Sequence, residues 1–209
     1  MTSFSDMIDG HHRFQDRQGD DQRGRWSELA GGQAPKVMIV SCVDSRVAPE
    51  QILDANPGEL FVVRNVANIV PPFSEASGSR SVASALEFAV TKLGVEEVVV
   101  MGHAACGGVG ACLSQAFANA RPGEGGFVGE WVKTLNPARE RVVATFGDGP
   151  DAAHELELEG VRESLANLMT FPFIRERVQA GTLKLHGAWF GIGEARVHVM
   201  DEQGAFQPA

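Results

Sequence analysis

Two short segments hold the residues whose types and spacing could do chemistry: Ser41-Cys42-Val43-Asp44-Ser45-Arg46 and Gly102-His103-Ala104-Ala105-Cys106-Gly107-Gly108. Two thiols and an imidazole are soft-to-borderline ligands that together suit zinc, and three protein ligands leave the fourth corner of a tetrahedron open, as catalytic zinc requires. Asp44 and Arg46 stand two and four positions beyond the first thiol. Beside a cation, a carboxylate can ligate the metal or accept a hydrogen bond from metal-bound water, and a bidentate guanidinium clasp decides which. Zinc-bound water, its pKa lowered toward neutrality, is a hydroxide nucleophile at working pH. The Gly107-Gly108 pair lets backbone N–H groups come close to a small ligand at a helix start, where an anion is welcome.

Each segment follows an apolar run, Val37-Met38-Ile39-Val40 or Val98-Val99-Val100-Met101, of the kind that forms buried parallel strands. If those strands are neighbours, Cys42, His103 and Cys106 converge at the carboxyl edge of one sheet, where open α/β sheets keep their sites. The breakers at 31–35 announce the first strand, over 36–41. Pro49 opens a short helix, residues 60–65 read as a second buried strand, and 79–93 as a helix stopped by Gly94. A third strand at 97–101 leads to a helix over 109–120, and the pattern predicts a helix over 127–145 interrupted near Pro137. Residues 151–169 make the strongest helix, acidic in its first turns, and 172–180 a short one. Strands at 183–189 and 196–200 are joined by Gly191-Ile192-Gly193, short enough for a hairpin, which puts the last strand antiparallel on an edge.

The fold class is therefore α/β: a mostly parallel four-stranded sheet plus an antiparallel edge strand, flanked by helices, with an N-terminal helical arm. Residues 1–30 form that arm. Met7 and Ile8 follow Phe4 by three and four positions, a narrow apolar stripe suited to lying across a second subunit. Residues 31–209 form a single α/β zinc-enzyme domain. A formal net charge of -9, from 27 acidic against 18 basic side chains, argues against nucleic acid or an anionic membrane as partner. Three cysteines make no disulfide framework, no run reaches the length of a membrane span, and the start lacks a basic-then-apolar leader, so the cytoplasm is the expected address.

Four segments in order, Ser-Cys-x-Asp-Ser-Arg-Val (41–47), Val-Val-Arg-Asn-Val-Ala-Asn (62–68), Gly-His-x-x-Cys-Gly-Gly (102–108) and Ser-Leu-Ala-Asn-Leu-x-Thr-Phe-Pro-Phe (164–173), resemble a β-class carbonic anhydrase of the plant-like branch. The resemblance implies one zinc per chain on Cys42, His103 and Cys106, with Asp44 orienting the metal-bound water and Arg46 orienting Asp44. Hydroxide then attacks CO2, bicarbonate leaves, and a proton passes to buffer. It further implies a substrate pocket in which Gln33 supplies an amide, Phe61 and Val66 an apolar wall, and Phe88 and Gly107 the remainder. Such pockets form at a dimer contact, so at least a homodimer is expected, with a tetramer or higher oligomer open.

Two departures from the family pattern matter. Ile39 stands where the bicarbonate-regulated branch has Trp, and the chain contains no Tyr, which implies the open form with Asp44 off the metal. Phe88 stands where plant-like enzymes usually have Tyr, so no hydroxyl is available there. The rival readings are hydrolysis of carbonyl sulfide or carbon disulfide on the same zinc site, a non-enzymatic zinc- or bicarbonate-binding protein, and a cysteine redox protein. Of the remaining candidates, Cys112 reads as a small buried hydrophobe, His11 and His12 as solvated arm residues, and His186 as structural. His154 and His198 read as surface or structural residues, and Arg64-Asn65 as a bicarbonate site or a packing pair. The acidic run Glu155, Glu157, Glu159 reads as a solvated helix face.

Overall fold

β-Branched and long apolar side chains on both faces of a strand call for cover on both faces, and helices supply most of it. The computed structural model describes residues 3–75 and 80–209. Strands β1 (Val37–Cys42), β2 (Leu60–Asn65), β3 (Glu97–His103) and β4 (Lys184–Gly191) run parallel in the order β2-β1-β3-β4, and β5 (Arg196–Met200) and β6 (Phe206–Pro208) continue the sheet antiparallel. The β4–β5 hairpin forms as its short Gly-rich turn requires. The sequence pattern missed β6, three residues too short to show periodicity, and β6 rather than β5 is the antiparallel edge.

The register places the two ligand segments side by side. Cys42 pairs with Asn65 on one side, and Ser41 pairs with Met101 on the other, so His103 ends its strand just past the level of Cys42. β1, between two parallel partners, is buried from Met38 to Cys42. β2 departs from expectation: the apolar run Leu60-Phe61-Val62-Val63 lies on the parallel edge, and all six of its residues are only half-buried.

Two helices, α1 (Phe4–Asp16) and α2 (Asp20–Leu29), make a unit of their own that ends at Ala34. A reciprocal Ser3–Asp6 capping box starts α1, and none of its residues is buried; Phe4 and Met7 are exposed.

In the unit from Pro35 onward, the helices are α3 (Pro49–Ile52), α4 (Ser81–Glu87), α5 (Gly107–Ser114), α6 (Gly126–Val132), α7 (Asn136–Phe146), α8 (Pro150–Leu168) and α9 (Pro172–Gln179). The helix expected over 79–93 begins at Ser81 and widens into a π-turn over Phe88–Leu93; Ser79 lies outside the described residues. α5 stops short of Ala120 because Gln115 takes a left-handed conformation (φ 54°) and its N–H returns to the Cys112 carbonyl. Pro137 falls in the first turn of α7, where its missing N–H costs nothing. Met38, Val40, Val98 and Val100 pack on one sheet face with Leu86, Val161, Leu168 and Ile174, while Cys42, Cys106, Val109, Leu135 and Leu156 form a second cluster at the carboxyl edge. Among the described residues, no helix is long and apolar enough to cross a membrane.

Candidate metal centre

Three elements each deliver one ligand to the same point. Cys42 is the last residue of β1, His103 the last of β3, and Cys106 the N-cap of α5. All three are buried, with 4%, 1% and 5% of their surface exposed. Their ligand atoms lie within 4.8 Å of one another, and the two sulfurs are 3.9 Å apart.

The imidazole is oriented for ligation. His103 Nδ1 lies 2.9 Å from the Ala104 carbonyl, which fixes the proton on that nitrogen and frees Nε2. Nε2 is buried and has no hydrogen-bond partner among the described residues. The thiols conflict without a cation. The Cys106 hydrogen bond pulls the Cys42 thiol down, whereas Cys106, beside that sulfur and buried, is pushed up. Burial disfavours the charged imidazole of His103, but the neighbouring Cys42 sulfur and the Ala104 carbonyl outweigh this and raise its pKa. An orphaned ring nitrogen beside two close sulfurs that share a hydrogen bond is a donor set that fits zinc. No fourth His, Cys, Asp or Glu joins the cluster among the described residues.

Asp44 and Arg46 sit at the rim. Arg46 Nε donates to Asp44 Oδ1 (2.9 Å) and Nη2 to Oδ2 (2.7 Å), and the Arg46 backbone N–H adds a third bond to Oδ1 (3.0 Å). These bonds hold the Asp44 carboxyl well below the usual carboxylate range. Its Oδ2 is 4.0 Å from His103 Nε2, close enough to face whatever sits on the metal.

Arg64, a candidate for bicarbonate, is engaged otherwise. Its guanidinium donates to the carbonyls of Cys42 (2.8 Å), Asp44 (2.7 Å) and Val47 (3.2 Å), pinning the loop that carries the first ligand. Asn65 makes paired bonds with the backbone of Ile69, so this pair packs rather than receives an anion.

The pocket residues divide. Gly107 opens α5 directly after Cys106, with free space where a Cβ would stand. Val66 packs into the ligand cluster, and a Cβ on Gly108 would lie 2.6 Å from its Cγ1. Phe61 and Phe88 stack on each other with centroids 5.9 Å apart. However, Phe61 pairs with Met38, four positions before Cys42 along β1, or about 13 Å of strand away from the ligand level. One protomer therefore does not bring Phe61 and Phe88 to its own ligands. Gln33 is exposed and belongs to the unit that ends at Ala34.

Cys112 is buried, and burial pushes its thiol up to about 11, as a packing residue should behave. His154 and His198 flank the Trp189 ring edge-on, and His186 Nε2 lies 3.4 Å from Glu97. The acidic run on α8 is not a uniform solvated face. Glu155 and Glu159 pair with Arg162, but Glu157 is buried, accepting the Cys106 backbone N–H through Oε1 and the Trp189 indole N–H through Oε2, both at 3.2 Å. Residues two apart on a helix lie about 200° round from each other, so the middle acid of an alternating trio must face away from its neighbours. That signal was available in the spacing.

Residues 37–197 match the family profile described as carbonic anhydrase. The chain is similar to the mitochondrial beta carbonic anhydrase 6 of Arabidopsis thaliana, with 36% identity over 92% of this chain and 67% of that protein. It is 38% identical to beta carbonic anhydrase 3 of the same plant over 79% of this chain and 64% of that one, so it spans about two thirds of the length of these relatives. Among solved structures, the beta-carbonic anhydrase CcaA superposes with a TM-score of 0.91 at 30% identity, covering 100% of both chains. One of two tetrameric beta-carbonic anhydrases from Sordaria macrospora gives 0.81 at 31% identity, over 94% of this chain and 96% of that one. By sequence, fold and ligand set together, the chain belongs to the carbonic anhydrase family, in its β class.

Proposed function

We propose that the chain catalyses the reversible hydration of CO2 to bicarbonate and a proton, with zinc on Cys42, His103 and Cys106. The observation that carries this reading is the Asp44–Arg46 pair set beside a three-ligand centre that has no fourth protein ligand among the described residues. A site meant only to bind zinc closes with a fourth ligand, and a site meant only to bind bicarbonate has no use for a carboxylate facing the metal.

Zinc, when bound there, supplies the Lewis acidity that makes water a nucleophile near neutral pH. The protein does the rest. Asp44, kept ionised and acceptor-only by Arg46, would accept a hydrogen bond from water held at the centre and so orient it toward the carbon of CO2. Arg46 bonds both Asp44 oxygens, which would hold the carboxylate off a bound metal. Val66 keeps one wall apolar, as suits an uncharged substrate, and the backbone at Gly107 leaves room for it.

Phe61 and Phe88 complete the pocket of a second copy in this proposal. Support comes from their distance from their own ligands and from the half-buried apolar edge strand that carries Phe61. A homodimer is thus the smallest working unit. For Gln33 the support is its place in the sequence pattern. Three free cysteines are consistent with a reducing compartment, and the cytoplasm is proposed on that basis.

The test is stopped-flow CO2 hydration by the wild type and Asp44→Ala, with zinc determined on the same samples. Zinc near one per chain, fast hydration and a large loss in the variant support the proposal. Zinc with no hydration refutes it, and carbonyl sulfide is then the next substrate.

A further inference from the structure

We propose that Glu157 is a positioning residue for the metal centre: its buried carboxylate holds the turn from His103 to Cys106 in the shape that ligation needs. The inference rests on the zinc site described above. Glu157 lies on the stripe of α8 that also buries Val161, Ser164 and Leu168, where an apolar residue would satisfy packing alone. A carboxylate there is costly unless it is bonded, and its two oxygens are bonded to different things. Oε1 takes the backbone N–H of the ligand Cys106, and Oε2 takes the Trp189 indole on β4. α8 and β4 are thereby tied to the ligand turn through one side chain.

The turn needs such a tie. Ala105, between the two ligands, has φ 53°, a left-handed conformation that non-glycine residues hold only when their surroundings over-determine it. Its carbonyl is gripped by Arg46 (3.1 Å) and the following N–H by Glu157, so the strained peptide is held from both ends. The sequence makes room for the second grip at Gly102, where a Cβ would stand 2.8 Å from Val161 Cγ2 and keep α8 away from β3. Outer partners that fix a ligand in this way are typically worth a factor of about 10 to 100 in metal affinity.

Glu157→Gln is the decisive variant because it keeps the shape. Its amide offers an oxygen to one N–H but turns its NH2 toward the other, so one of the two bonds becomes a donor facing a donor. Adding Trp189→Phe removes the competing indole N–H. We would measure zinc release to a chelator, the thiolate-to-cobalt absorption bands of the cobalt-substituted proteins, and melting temperature. The expected result is zinc release from Glu157→Gln about 10- to 100-fold faster than from wild type, with shifted cobalt bands. The double variant should recover most of both changes.

If Glu157→Gln releases zinc within twofold of wild type and keeps its cobalt bands while only its melting temperature moves, Glu157 is a packing residue and the proposal is wrong. A double variant worse than Glu157→Gln overturns it as well, since bulk burial would then be the cause. A wild type that takes up no zinc removes the site and this proposal together.

Discussion

Arg46 Nη2 lies 3.1 Å from the carbonyl oxygen of Ala105 while it also binds Asp44 Oδ2 at 2.7 Å. One guanidinium therefore joins the segment of the first ligand to the turn between the other two. Lysine has a single nitrogen and cannot reproduce the two-pronged hold on Asp44 together with the third contact. Arg46→Lys should lower kcat for CO2 hydration about 10- to 100-fold and also weaken zinc retention. Stopped-flow rates and zinc content on one preparation check both halves; an Arg46→Lys enzyme at wild-type rate would show the clasp to be dispensable.

Asp44 is expected off the metal in the zinc-loaded protein, because Arg46 already takes both of its oxygens. A crystal structure at pH 7.5 or above with an Asp44 oxygen at about 2.0–2.2 Å from zinc would contradict this. Asp44→Ala should retain zinc, since all three ligands remain, and lose about 10²- to 10⁴-fold in rate.

Removing the metal should expose the asymmetry between the two ligand thiols. The hydrogen bond between the two sulfurs lowers the Cys42 thiol and raises that of Cys106, so in the metal-free protein the thiolate character should fall mainly on Cys42. Iodoacetamide at pH 6 followed by peptide mass spectrometry should find Cys42 modified first, and the zinc-loaded protein protected. Equal labelling of Cys42 and Cys106 would argue against a shared proton.

Cys112 gives a pH signature of its own. Folding raises its thiol from 9.0 to about 11, so the folded state binds this proton more tightly than the unfolded state does. Stability from this group is complete below pH 9 and falls as pH rises through 11, by up to about 3 kcal/mol. Cys112→Ala should lose that slope in urea titrations at pH 8.5, 9.5 and 10.5, whatever its starting stability. A variant that keeps the wild-type slope places the titrating group elsewhere.

The two glycines after Cys106 should behave oppositely. A Cβ on Gly108 would lie 2.6 Å from Val66 Cγ1 and 3.0 Å from the Ala67 Cβ, so Gly108→Ala must displace the pocket wall and should cost about 1–3 kcal/mol. Gly107→Ala meets nothing within 4 Å and should leave stability unchanged or raise it by up to about 1 kcal/mol through helix propensity. Its methyl does enter the space proposed for substrate, so its effect belongs in KM. Thermal melts and Michaelis curves of the two variants separate these effects.

The sequence by itself pointed to three candidate ligands, the Asp44–Arg46 pair and a mostly parallel α/β sheet to present them. Cys42, Asp44, Arg46, His103 and Cys106 fall within two short segments, each fastened to a strand with a plain apolar run; that those two strands are neighbours, the condition on which convergence depended, is a finding of the structure. Local spacing carries such information because a strand end points its next few residues at one place. What tertiary structure alone decided is who faces whom across long separations. The apolar run at 60–63 reads as a covered strand, yet β2 is an edge, since periodicity reports an apolar face without naming what covers it. Arg64 turned from candidate anion site into a loop clamp because three carbonyls, from Cys42, Asp44 and Val47, close around it. Glu157 and Cys106 are 51 residues apart in the chain, and only the approach of α8 over Gly102 puts a carboxylate against a ligand's backbone.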